Sequence, residues 1–485
     1  MLITFIVLYL LGSVAIGLFA ARRVHNTADY AVAGRSLPLA VVIATTFATW
    51  FGSETVLGVS ARFVSGNLGA VVEDPFGASM CLILVGLFFA YKLYQKNLIT
   101  LGDYYRQRYG KSIEVVCSTI IIFSYLGWVA AQITALGLVF NLLSQGAISI
   151  SMGMVIGTSV VLVYTLYGGM WSVAMTDFVQ MIVIGVGLVL IAWFAADLAG
   201  GAGKVIEYAA REGKFQFFPA SSDGKEWVFF FAAAITMMLG SIPQQDVFQR
   251  VMSSRDAKTA VRGPVIGGTL YFLFALIPMF VVTAAVMVMP DVAPALLQDD
   301  PQKVLPTLVM EKMPVILQVA FFGALLSAIM STASATLLAP STTFVENILR
   351  NIKPGMSDQA TLRAMRISVL VFTVCVLLYA ITMQGTSIYE LVSGAYQVPL
   401  VGAFTPLVFG LYWKRATTQG AIMSVVLGLG TWLLFIAVPG WADAFPQQLA
   451  GLLAAITGML AGSLMPQFMA DHKGHVHHFE GSASA

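Results

Sequence analysis

The residues with the most chemical potential in this sequence are oxygen donors set inside apolar runs. The stretch Ser327-Ala328-Ile329-Met330-Ser331-Thr332-Ala333-Ser334 lies within a long hydrophobic segment. Residues 328, 331 and 332 share one helical face by their three- and four-residue spacing, so a carbonyl oxygen and two hydroxyls converge on one point. Sodium, a hard cation, prefers such ligands. Hydroxyls bonded to their own helix, or a close helix contact, would use the same residues. Two further runs, Thr45-Thr46-Phe47-Ala48-Thr49-Trp50-Phe51-Gly52-Ser53-Glu54 and Met238-Leu239-Gly240-Ser241-Ile242-Pro243-Gln244-Gln245-Asp246, carry polar and helix-weakening residues that a plain membrane anchor lacks. Backbone freed by a helix break at membrane depth must be satisfied by an ion, a solute or neighbouring protein, so broken helices are where transport sites are built. The bland alternative is that Gly52 and Pro243 only kink packed helices.

Intramembrane carboxylates are costly and functional by default. Asp177 lies about 8 Å into its span if the helix starts near Ser172. Glu54, one turn beyond Trp50, either meets a cationic group of a solute or ties the helix break to its neighbours. Glu73 and Asp74 precede Pro75, which suits an N-cap and first turn of a helix running to Tyr94, or a vestibule that attracts cations. Glu390 reads as interfacial. Trp50 and Trp128 fall near mid-span, where they either pack the core or offer faces to a quaternary ammonium, at roughly 0.5–2 kcal/mol per contact. Gln244 and Gln245 can hydrogen-bond a carboxylate or amide.

The elements that must hold these residues are membrane helices. Hydrophobic residues make up 58% of the chain and charged ones 10%, with a mean hydropathy of +0.84, which all but excludes a water-soluble fold. Runs of about 20 apolar residues number about thirteen, centred near residues 11, 50, 80, 128, 156, 185, 238, 274, 328, 373, 400, 428 and 458. With alternate loops assigned to the cytoplasm, about 19 of the 26 basic residues fall inside, Arg250 and Lys473 among them. This frame puts the N-terminus outside and the C-terminus in the cytoplasm of a multi-pass cell-membrane protein. The connections at 200–226 and 290–314 are long enough to carry short helices. The offset of five spans between the two broken runs fits two inverted repeats, about 38–200 and 227–413, inside a single transmembrane domain spanning 1–470. A polar tail, 471–485, follows and contains His472, His475, His477 and His478, which reads as solvated although imidazoles at short spacing can bind metal. Cys81, Cys117 and Cys375 read as buried hydrophobes. The net charge of +2 points to no nucleic acid, and no catalytic triad, metal cluster or phosphate loop marks an enzyme.

Ordered motifs carry a family likeness along nearly the whole chain. They are Ala33-Gly34-Arg35-Ser36, the run Thr100 to Gly110, YTLYGGMWSVAMTDFVQ from Tyr164 to Gln180, Gln249-Arg250, SAIMSTASATLL and Tyr412 to Thr417. On these the chain resembles the sodium:solute symporter family. The resemblance implies a leucine-transporter-like core of five plus five helices, with one extra helix before it and two after. It also implies sodium as coupling ion and no organic cofactor, held by the carbonyls of Ala48, Phe51 and Ala328 and the hydroxyls of Ser331 and Thr332, with Asp177 beside it. Where some relatives hold a second sodium with a further hydroxyl, this chain has Ala335. The segments ATWFG, LILVGLFFA and SIPQQDVFQR look most like the high-affinity choline transporter branch, in which tryptophans at the positions of Trp50 and Trp128 help cage trimethylammonium. Ala78 and Gln244 replace two aromatic walls of that cage, which suits a more polar solute such as an amino acid or betaine. The expected function is sodium-driven import of a small organic solute, a quaternary amine or zwitterion, through residues Trp50, Glu54, Trp128, Gln244 and Gln245. A membrane solute sensor and a proton-coupled symporter are the alternatives. The expected partners are the solute and the bilayer, with no obligatory protein.

Overall fold

The computed structural model describes residues 2–469, which excludes the histidine-containing tail. Among these residues the regular elements are all helices, joined by turns and short irregular connections, apart from an isolated bridge between Leu37 and Ser254. Helix α1 (Leu2–Ala20) buries Ile6, Leu10, Ser13, Gly17 and Ala20, a stripe at intervals of four and three that turns one face toward the rest of the bundle. A Cβ added at Gly17 would sit 2.6 Å from the Cβ of Tyr164, so a small residue is what lets the two helices approach.

The two predicted broken spans are present. Helices α2 (Leu39–Trp50) and α3 (Glu54–Ser65) bend by 53° across the residues between them. Further helices are α4 (Leu68–Tyr94), α5 (Lys111–Leu143) and α6 (Ile150–Leu198). The second broken pair, α7 (Gly224–Gly240) and α8 (Gln245–Ser253), bends by 43°. The chain continues through α9 (Ala257–Val288), α10 (Val315–Ile352), α11 (Asp358–Thr382), α12 (Ile388–Tyr412), α13 (Thr418–Ala437) and α14 (Gln447–Leu464). Every residue of α10 from Phe321 to Thr343 is buried, as expected of a helix at the centre of a bundle with no face left for lipid. The two long connections carry the short helices Ala202–Arg211, Ala293–Asp299 and Val304–Lys312.

The span count differs from the expected thirteen. Among the described residues ten helices are long and apolar enough to cross a membrane, or up to twelve when each bent pair is one span. The spans expected near 156 and 185 are both contained in α6, whose 49 residues would reach about 74 Å if straight, more than twice the hydrocarbon thickness. Helix α6 is interrupted at Gly169, where φ is 48° and ψ is −137°. The helix expected to start at Pro75 is preceded by a helical stretch from Leu68, and the two meet at a kink where Asp74 is extended, with φ at −137° and ψ at 122°; among the described residues the Asp74 side chain makes no capping bond. Its carboxylate instead accepts from the Tyr271 hydroxyl on α9.

Candidate functional site

The first break places backbone oxygens beside the serine face. Helix α2 ends at Trp50, and Phe51 leaves the helical region with ψ at 72° while its N–H bonds back to Phe47 at 2.9 Å. The Ala48 carbonyl is met by the Thr332 hydroxyl of α10 at 3.5 Å. Ser331, one residue before, donates to Asp177 Oδ1 at 2.6 Å. The other oxygen of Asp177 accepts from the Thr45 hydroxyl and, at 3.5 Å, from Thr49. Residues from α2, α6 and α10 thus converge on one fully buried carboxylate. Ala328 lies one turn before Ser331 and Thr332 on α10 and is also buried. The oxygens gathered here are carbonyl, hydroxyl and carboxylate, a donor set that suits sodium. Gly52 sits at the junction. A Cβ there would lie 2.4 Å from Glu54 Oε2, 2.6 Å from Thr332 Oγ1 and 2.9 Å from Gln132 Oε1, so only glycine allows the break to close this tightly.

One turn further, aromatic rings and carboxylates interleave. Trp50 and Trp128 meet edge to face with centroids 5.8 Å apart, and Tyr396 of α12 lies 6.1 Å from the first and 5.4 Å from the second. Tyr125 stacks on Trp128 at 6.1 Å. Each indole N–H is given to a carboxylate: Trp50 to Asp246 at 3.0 Å and Trp128 to Glu54 at 3.0 Å. Gln132 donates to the second oxygen of Glu54 at 2.6 Å and accepts from the Ser53 N–H at 3.0 Å, fastening the first break to α5. Asp246 accepts from the Tyr125 hydroxyl at 2.5 Å and returns its own N–H to it at 2.9 Å, fastening the second break to the same helix.

Trp50, Glu54 and Trp128 therefore come together, as expected. Gln244 donates to Ser124 at 2.9 Å, beside Tyr125, and its carbonyl oxygen has no partner. Gln245 points elsewhere: it accepts from the Leu101 N–H at 2.8 Å and donates to the Ile99 carbonyl at 3.3 Å, which uses both ends of its amide. A second departure is Arg250. Assigned to a cytoplasmic loop from sequence, it is 1% exposed and donates to Thr49 at 2.7 Å and to the Asp246 carbonyl at 2.9 Å. Asp246, Tyr125, Tyr396 and Gln132 were not singled out from sequence. Asp246 closes the polar run of the second break, and Gln132 follows Trp128 by one helical turn. Those local signals could have found both, whereas nothing local marks Tyr396.

The sodium:solute symporter family model matches residues 30–428, which span both breaks, the serine face and the aromatic cluster. The chain belongs to this family. It is 30% identical over 453 residues to high affinity choline transporter 1 of Homo sapiens, covering 88% of this chain and 75% of that one. It is 27% identical over 463 residues to the high-affinity proline transporter PutP of Bacillus subtilis (strain 168), covering 93% and 95%. A solved Na+-coupled sialic acid symporter, in a substrate-bound outward-open state, shares the fold with a TM-score of 0.83 at 19% identity, over 98% of this chain and 99% of that one. As a member of this family, the protein is a sodium-coupled symporter of a small solute in a multi-pass membrane setting, and not an enzyme.

Proposed function

We propose that this symporter imports a small organic cation, held by Trp50, Trp128 and Tyr396 with Glu54 beneath it and Gln244 at its polar end. The observation that carries this reading is the charge of the cluster. Glu54 and Asp246 both bind indole N–H groups of the aromatic faces, and among the described residues Arg250 is the only buried cation near them. One negative charge is left over at membrane depth, where an isolated charge is expensive. A cation lying on the aromatic faces compensates it and gains cation–π attraction.

Sodium is assigned to the carbonyls of Ala48, Phe51 and Ala328, the hydroxyls of Ser331 and Thr332, and Asp177. Bound there, it replaces protons donated to Asp177 as the group that holds α10 against α2, so the broken helix is fixed and the solute cluster beside it is pre-formed. Sodium and solute then favour the same state, and each raises the affinity of the other. The two broken pairs are read as equivalent helices of two inverted repeats, about 38–200 and 227–413, with α6 crossing twice on either side of Gly169. The basic loops are read as cytoplasmic, with the N-terminus outside.

A zwitterion is the second reading, favoured by the unpartnered Nε of Arg250 and carbonyl oxygen of Gln244. Uptake of labelled choline, glycine betaine and proline into proteoliposomes, with and without an inward sodium gradient, separates the two. Sodium-driven accumulation of choline but not of proline supports the cation site, and the reverse refutes it. Sodium-dependent binding without accumulation turns the reading toward a sensor, and full replacement of sodium by protons refutes the ion site.

A further inference from the structure

Seven carboxylates are buried within the candidate spans among the described residues: Glu54, Glu73, Asp74, Glu114, Asp177, Asp246 and Glu346; Glu114 accepts from Asn347 and Asn351, and Glu346 from Arg350. Arg250 faces Asp246 and Asp177, sodium is assigned to Asp177, and the solute to Glu54. That leaves Glu73 and Asp74, on α4. Glu73 accepts from Ser393 at 2.9 Å and faces Thr236 and the exposed Arg62. Asp74 is 1% exposed, and its Oδ2 has no hydrogen-bond partner among the described residues. Its Oδ1 accepts from the Tyr271 hydroxyl, which lies 3.0 Å from Thr55 Oγ1 on α3. The ionisable groups facing Asp74 are Glu54, Glu73, Tyr271 and Tyr389; none carries a positive charge. A carboxylate oxygen so placed is shut off from bulk solvent and faces no counter-charge among the described residues, an arrangement that favours a further ligand.

We propose that Asp74, with the hydroxyl oxygens of Tyr271 and Thr55, binds a second sodium ion. The site draws on α3, α4 and α9, whereas the first draws on α2, α6 and α10. Hydroxyls that donate their protons still keep lone pairs for a cation, so the existing hydrogen bonds leave these oxygens free to coordinate. Because Thr55 adjoins Glu54, an ion here stabilises the same broken helix that carries the solute. The proposal rests on the sodium-coupled reading and adds an ion to it.

The test is the number of sodium ions bound per chain, measured with radioactive sodium on the purified full-length protein at acid and alkaline pH. At a sodium concentration that just saturates the wild type, two ions in the wild type, one in Asp74→Asn and about one in Ser331→Ala, whose first site is weakened about 10- to 150-fold, are expected. Two ions in Asp74→Asn overturn the second site, as does a single wild-type ion that Ser331→Ala abolishes, a result that leaves the first site intact. If Asp74→Asn loses an ion and Ser331→Ala loses none, the serine-face assignment fails and the second site stands. A single wild-type ion with a pH dependence that Asp74→Asn removes assigns Asp74 to a proton and overturns the sodium site. Tyr271→Phe keeps the charge and removes one ligand. It is expected to weaken one of the two sites about five- to tenfold, and unchanged binding overturns the proposal even if Asp74→Asn fails to fold.

Discussion

Ser331→Ala removes one hydroxyl from the centre of the assigned ion site and little else. The Ser331 hydroxyl lies 2.6 Å from Asp177 Oδ1, while the Thr45 hydroxyl still holds the other oxygen, so the carboxylate keeps an anchor and the fold should survive. Hydrogen bonds to charged groups contribute about 1.5–3 kcal/mol, and a sodium ligand of the same kind is expected to contribute similarly. That corresponds to about a 10- to 150-fold increase in the sodium concentration for half-maximal uptake. The solute contacts are made by Trp50, Trp128, Tyr396 and Glu54, none of which bonds to Ser331. At saturating sodium the ion site is filled in the variant too, so solute affinity should stay within about twofold of wild type. The assay is initial-rate uptake in proteoliposomes over a matrix of sodium and solute concentrations. An unchanged sodium requirement, or a loss of solute affinity that saturating sodium does not restore, would refute the placement.

Trp128→Phe keeps an aromatic face but strands Glu54 Oε1, whose indole donor lies at 3.0 Å; a loss of about 1–3 kcal/mol in solute affinity is expected, and competition binding at fixed sodium checks it. Arg250→Ala removes the only cation that faces Asp246 and Asp177 among the described residues and should destabilise the protein by about 3–5 kcal/mol, read as a lowered melting temperature in detergent; an unchanged melt would mean that these carboxylates do not depend on Arg250. Gly52→Ala puts a Cβ 2.4 Å from Glu54 and 2.6 Å from Thr332, so sodium-driven uptake should fall to background while the protein still reaches the membrane; normal uptake would show that the break is looser than described.

The helices, the two breaks and the serine face were legible in the sequence because each is local. Apolar runs of membrane-spanning length, glycine and proline among polar residues, and hydroxyls at three- and four-residue spacing all follow from the geometry of a single helix. Tertiary structure alone decided which distant oxygens and rings meet. Trp50 and Trp128 could be chosen as mid-span aromatics, but that their N–H groups go to Asp246 and Glu54 depends on how α2, α5 and α8 pack. Arg250 shows the limit most clearly. A basic residue near the end of an apolar run reads as an interfacial charge, yet the short helix α8 carries it into the core, where Thr49 and the Asp246 carbonyl receive it. Gln245 and Gln244 are adjacent in sequence but point to different partners, because Gln244 is extended, with ψ at 137°, while Gln245 is the first residue of helix α8. Local periodicity sets which face a residue occupies; what stands opposite that face is set by the packing of the whole bundle.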